Sequence, residues 1–260
     1  MISIELQGRL GNQLFQYAVC RAVAEHNGYD FHIDRLRWLG GDVFKANLGV
    51  SQGFSQAQEF IKIIRGHVCR MVKSEDGLPI AKYIFEEKDI ENKPFMPEVF
   101  NIKDDTLLKG YFPSPKYFDI DDVRRWLRLR KTIDVPDDVC YINFRGGDFN
   151  GTYYQVSKGY YDEAVKIMKG LGVDKFIVIT DDKEEARRWF PDYEVCHSAD
   201  DFFILISSKY LIIGNSTYSF WAAILNPDNT VIAPAGWKNY NINKKKFNPS
   251  DIKVDRFIYI

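Results

Sequence analysis

Val139-Cys140-Tyr141-Ile142-Asn143-Phe144 is an almost unbroken apolar run, and Arg145-Gly146-Gly147-Asp148 follows it directly. A run of this kind closed by a glycine-rich polar loop reads as a strand buried on both faces of a parallel sheet. Toward the C-terminus, helix and strand patterns alternate. Helical spacing covers 160–171, 182–190, 201–208 and 219–225, and strand-like runs cover 175–180, 194–197, 210–214 and 230–233. This βα rhythm predicts a doubly wound α/β sheet.

The N-terminal half opens in the same way. Residues 2–6 alternate apolar and polar, Gly8 and Gly11 punctuate a turn, and Leu14, Tyr17, Ala18 and Ala22 fall on one helical face. Residues 31–34 read as a second strand, which makes a βαβ unit. Residues 40–110 mix glycine, charge and short apolar pieces; only a helical spacing at 56–72 and a strand at 107–112 stand out. At 119–129, Val123, Trp126 and Leu127 share a helical side, and aspartates sit near the start, where the helix dipole favours them. The stretch 132–138 reads as a linker. The expectation is therefore two Rossmann-like lobes, 1–133 and 139–260, with a ligand cleft where they face each other. In open α/β sheets ligands bind past the carboxyl ends of the strands.

Composition narrows the partners. Across 260 residues, 35 Lys and Arg balance 36 Asp and Glu, so nothing global draws the chain to nucleic acid or to an anionic membrane. Any phosphate has to be held by a local site. Cys20, Cys69, Cys140 and Cys196 are scattered without CxxC spacing, which predicts neither a zinc site nor a disulfide framework. His26, His32, His67 and His197 are equally dispersed, so no metal site is expected. The N-terminus has no basic segment followed by a long apolar stretch. The longest apolar runs, 210–213 and 220–225, fall far short of the roughly 20 residues a spanning helix needs. A cytoplasmic chain, or one peripheral to a membrane without insertion, is expected. The lysines at 244–246 read as a solvated face.

Three segments share one design of strand, polar loop and helix start: Gly8-Arg9-Leu10-Gly11-Asn12-Gln13, Arg145-Gly146-Gly147-Asp148 and Asn215-Ser216-Thr217-Tyr218-Ser219. Glycines let a backbone approach a ligand, helix N-termini present N–H groups to anions, and an arginine grips phosphate with a forked pair of hydrogen bonds. Each segment has a plainer reading beside the functional one. Gly8 and Gly11 also suit an ordinary turn, the pair at 146–147 a β-turn, and Ser216, Thr217 or Ser219 a helix cap. Thr180-Asp181-Asp182 ends a further strand; its carboxylates suit either a guanine or ribose contact or the cap of the following helix. The chain has no GxxxxGK[ST], HExxH or GxGxxG, which disfavours P-loop kinases, zinc proteases and nicotinamide enzymes.

The segment 8–18 resembles the N-terminal signature of the α-1,2-fucosyltransferases, glycosyltransferase family 11. Lys109-Gly110-Tyr111-Phe112 with Lys116-Tyr117-Phe118 is similar to that family's G-Y-x-Q-S-x-K-Y-F segment, and Ile179-Thr180-Asp181-Asp182 to its S-D-D motif. Asn215-Ser216-Thr217-Tyr218-Ser219-Phe220-Trp221-Ala222-Ala223 is similar to its N-S-T-F-S-W-W-A-A block. Val231-Ile232-Ala233-Pro234 with Trp237 is similar to its C-terminal strand. One motif departs: the family's H-x-R-R-G-D reads Asn143-Phe144-Arg145-Gly146-Gly147-Asp148 here, which keeps the first arginine and the aspartate and loses the histidine and the second arginine.

The resemblance implies a GT-B-type inverting enzyme that moves L-fucose or a related sugar from a GDP donor to a glycan hydroxyl, α-1,2, in surface-glycan synthesis. It implies no metal and no cofactor beyond the GDP-sugar co-substrate. Arg145 would neutralise the leaving diphosphate, with Gly11, Asn12, Gln13, Ser216, Thr217 and Ser219 around the donor and Asn143, Asp181 and Asp182 toward the guanosine. Asn12 and Asp148 complete the catalytic set, Asp148 either as base or as partner of Arg145. Asp162 and Asp34 are the other carboxylates available as a base. The departures at 143 and 146 leave two alternatives: the same fold with another GDP-sugar, or a non-catalytic GDP- or glycan-binding relative.

Overall fold

The computed structural model describes residues 1–33, 38–45, 81–87, 94–152, 154–236 and 250–260. The helical spacing at 56–72, Asp34, His67, Cys69, Trp237 and the lysines at 244–246 lie outside the described residues. The chain divides into two compact units, Met1–Arg128 and Leu129–Ile260.

In the first unit, four parallel strands lie in the order β2-β1-β4-β3: β1 Ile2–Ile4, β2 Phe31–Ile33, β3 Tyr83–Glu86 and β4 Thr106–Lys109. The helix α1, Leu10–Asn27, starts six residues after β1 and lays Leu14, Phe15, Tyr17, Ala18 and Val19 into the core. It stops at Gly28, whose φ of 69° lets the N–H groups of Gly28 and Tyr29 return to the carbonyls of the last turn. Tyr17 packs edge-on against Trp126 of the short helix α2, Ile120–Trp126, where Asp119 caps the first turn as its sequence position suggests.

The second unit holds six parallel strands: β5 Val139–Phe144, β6 Lys175–Thr180, β7 Glu194–Cys196, β8 Tyr210–Ile212, β9 Thr230–Ala233 and β10 Ile258–Tyr259. Their order, read from one edge, is β7-β6-β5-β8-β9-β10. The chain starts in the middle, winds to one edge, returns, and winds to the other. The connecting helices are α3 Lys158–Gly170, α4 Lys183–Trp189, α5 Asp201–Ser207 and α6 Thr217–Leu225. Every residue of β5 is buried, as a strand covered on both faces should be. At about 1.5–3 kcal/mol for each large apolar side chain, its Val139, Ile142 and Phe144 anchor the layer. Both units are thus parallel-sheet α/β, the composition of the GT-B class. Two strands carried no readable signal: β3, where Ile84 is 61% exposed, and β10, only two residues long. Both lie on sheet edges, where alternation of burial is weak.

Candidate functional site

In the second unit, the winding direction reverses between β5 and β8. That is the switch point where connections leave in opposite directions and a crevice opens past the carboxyl ends. β5 and β8 pair through Ile142 and Ile212, so Asn143 and Gly214 sit beside each other where the two strands stop; a Cβ on Gly214 would lie 3.6 Å from the Asn143 carbonyl. Two neighbouring tyrosines of α3 hold these ends. The Tyr161 hydroxyl donates to the Asn143 carbonyl at 3.4 Å, and the Tyr160 hydroxyl is shared between the carbonyls of Ile213 at 2.6 Å and Ile232 at 3.1 Å. Burial pushes both phenols well above their ordinary pKa, so they remain neutral donors. Sequence reading passed over this pair. The available signal was two adjacent tyrosines in an otherwise apolar helical face.

Arg145 leaves the end of β5 with its side chain 20% exposed. Asp181 Oδ2 lies 2.5 Å from its Nη1, Asp148 Oδ1 lies 2.7 Å from its Nη2, and the Phe149 ring sits 5.3 Å from its Cζ. Asp148 is therefore the partner of Arg145. Asp162 pairs with Lys158 one turn away on α3 and is exposed. Asp181 also accepts the Gly146 N–H at 3.0 Å. Asp182 caps α4, accepting the Glu185 N–H at 3.1 Å, and accepts the Gly147 N–H at 3.3 Å. An arginine at 146 does not fit this backbone as it stands, because a Cβ there would approach the Asp182 Cβ to 2.7 Å.

The two corners flanking Arg145 differ in charge. Beyond β6, Asp181 and Asp182 are followed by Glu184 and Glu185 in the first turn of α4, so that helix start is closed to anions. Beyond β8, α6 has no acidic residue in its first turn, and Ser216 occupies the N-cap position without a side-chain cap bond. The helix starts at Thr217, two residues before the predicted 219, and Ser219 is buried with its hydroxyl donating back to the Ser216 carbonyl at 3.2 Å. Of the two helix starts, the one beyond β8 is thus the more favourable to an anion. Two buried amide oxygens face no donor among the described residues: Asn143 Oδ1 and Asn215 Oδ1. Their amide nitrogens reach the Ile179 carbonyl at 3.5 Å and the Tyr154 carbonyl at 3.2 Å. Orphaned acceptors at the ends of both switch-point strands suit a ligand that brings N–H or O–H donors.

In the first unit, Gly8 turns the chain after β1 with φ 71°, and Asn12 lies so close that a Cβ on Gly8 would come within 2.4 Å of its Nδ2. Gly11 is buried in the first turn of α1. Gln13 is buried, donates to the Gly8 carbonyl at 3.4 Å and accepts the Leu39 N–H at 2.8 Å. The block around Gly110 is explained by Glu87. A Cβ on Gly110, at φ 144°, would meet the Glu87 Cβ at 2.4 Å, and the buried Glu87 carboxylate accepts the N–H groups of Tyr111 at 2.9 Å and Phe112 at 3.0 Å.

Among the described residues no group of three or more His, Cys, Asp or Glu is placed to hold a metal ion, and no helix is long and apolar enough to cross a membrane.

A doubly wound parallel sheet, with an arginine and a helix start free of acidic residues at its switch point, defines a Rossmann-like α/β fold. The family model for glycosyl transferase family 11 matches residues 118–260, more than half of the chain, and the chain belongs to that family, whose members are glycosyltransferases. The O-antigen biosynthesis glycosyltransferase WbnK of Escherichia coli is 37% identical over 99 residues, 34% of this chain and 32% of that protein. The chain is thus matched to about a third of the length of that relative. An alpha-1,2-colitosyltransferase of Escherichia coli is 20% identical along 100% of this chain and 99% of its own. The segment 8–18 lies outside the family match and inside this longer one. Among solved structures, a mutant of Arabidopsis thaliana FUT1 in complex with GDP superposes with a TM-score of 0.51 at 14% identity, covering 89% of this chain and 69% of that one; it shares the fold.

Proposed function

We propose that this protein transfers L-fucose or a closely related sugar from a GDP donor to a glycan hydroxyl, in α-1,2 linkage and with inversion, as a step in surface-glycan synthesis. The observation that carries the reading is Arg145, held by Asp181 and Asp148 at the end of β5, with the neighbouring strand β8 leading to a helix whose first turn has no acidic residue. When the bond from sugar to diphosphate breaks, negative charge develops on the departing GDP. A fixed guanidinium and the first-turn amides of α6, with Ser216 and Thr217, stabilise it without reorganising. Asn143 and Asn215 offer acceptors to the nucleoside or sugar. Asp182 is spent on its helix cap, which leaves Asn143 as the stronger candidate for the guanosine.

A second reading keeps GDP and changes the sugar. It is favoured by the full-length likeness to an alpha-1,2-colitosyltransferase and by the glycine at 146. A thermal-shift panel of GDP, UDP, CDP and ADP tests the nucleotide: GDP alone should raise the melting temperature, and a preference for another base overturns both readings. GDP-fucose and GDP-colitose offered with an oligosaccharide acceptor then separate them. No metal is assigned to the diphosphate, so transfer should survive EDTA; activity lost on chelation and restored by Mn²⁺ would contradict that assignment.

A further inference from the structure

We propose that Asp181 is the positioning residue of Arg145, a role open to it because positions 146 and 147 are glycine. The inference rests on the donor reading above and deepens it. One carboxylate holds two things: its Oδ2 lies 2.5 Å from Arg145 Nη1, and its Oδ1 accepts the N–H of Gly146 at 3.0 Å. The guanidinium and the backbone beside it are therefore fixed by the same group. Asp148 takes Nη2 and Phe149 covers one face. Arginine has five N–H donors, so it remains able to grip an anion while two of them set its orientation.

The glycines make this contact sterically allowed. A Cβ on Gly146 would lie 2.7 Å from the Asp182 Cβ, and one on Gly147, at φ 45°, would lie 2.9 Å from Asp181 Oδ2. Asp182 cannot retreat without giving up its cap on α4 and its bond to Gly147. The loop after β5 therefore rests on the 181–182 corner only without side chains at 146 and 147. Asp181 also repels a diphosphate directly. Orientation and repulsion act in opposite directions, so the sign of the change on removing the charge decides between a positioning residue and an electrostatic gate.

The test is GDP binding by calorimetry on the full chain. D181N should weaken GDP by about tenfold with the melting temperature unchanged, a coupling ordinary for members of one charged network. In an R145K background, where the charge stays and the fork is gone, D181N should change the affinity by less than about twofold. Tighter or unchanged GDP binding in D181N, or a full tenfold loss persisting in R145K, overturns the proposal. Should D181N melt early, D181E, which keeps the charge and displaces it by one methylene, is expected to show the same loss; undiminished affinity in it counts against the proposal. R145A separates the two levels. If R145A binds GDP undiminished, the donor reading itself falls; if it loses GDP while D181N does not, only the present inference does.

Discussion

After β1 the first unit turns through Gly8 and Arg9 into α1, and after β5 the second turns through Arg145, Gly146 and Gly147 toward Asp148. The first corner is closed largely by neutral amides. The Gln16 Oε1 accepts the Gln7 N–H at 3.0 Å, its Nε2 reaches the Gly110 carbonyl at 2.8 Å, and Gln13 ties Gly8 to Leu39. The second corner carries one arginine between two carboxylates and, among the described residues, two amide oxygens without donors. Similar glycine-rich loops after a first strand are thus held by different chemistry. Where polar groups bond to one another, they fix the shape of the corner. Where they are charged, partly exposed or orphaned, it is equipped for a ligand.

The largest expected effect separates the corners directly. R145A should cost about 10²–10³ in transfer rate, the usual loss for a preorganised charge-stabilising group, while the protein melts as before. Full activity in that variant would make the two corners equivalent. E87A is the converse for the first unit. It removes a buried carboxylate that accepts two backbone N–H groups, one of them from Phe112 at φ 48°, and should cost about 3 kcal/mol in denaturant unfolding while GDP affinity is kept. A loss of GDP binding in the folded variant would give the first unit a direct part in holding the nucleotide.

Alkaline titration sharpens the contrast. Burial, only partly offset by Arg21, pushes Tyr17 of the first unit up to about 12. A phenol raised in the folded state contributes stability that is intact below the unfolded value of about 10 and is lost as pH rises through the folded value, about 1.4 kcal/mol for each pH unit between the two. Tyr160 and Tyr161 are raised further by burial. Tyrosinate absorbance should therefore develop in stages, with Tyr160 and Tyr161 ionising only as the second unit unfolds; a single transition near pH 10 would contradict their burial. The smallest effect is expected from Y160F, which removes one shared hydroxyl from the ends of β8 and β9 and should cost about 1–2 kcal/mol in unfolding.

How much was legible follows the same physics. The spans 139–144, 175–180 and 230–233 coincide with β5, β6 and β9, because strands buried on both faces are written as near-continuous apolar runs. The edge strands β3 and β10 left no such trace. That Arg145, Asp181 and Ser216 all sit at carboxyl ends was readable from the βα order. That Asp181 grips Arg145 was not: the two are far apart in the chain, and only the pairing of Phe144 with Thr180 brings them together.

By itself, then, the sequence settled the interior strands of the second unit's parallel sheet and the loops at their carboxyl ends, since hydrophobic run length and glycine placement are local properties. Only the tertiary structure decided the strand order that puts β5 beside β8, the choice of Asp182 as a helix cap, and the orphaned oxygens of Asn143 and Asn215. Those outcomes depend on which polar groups find partners across the fold, and no local stretch of chain contains that information.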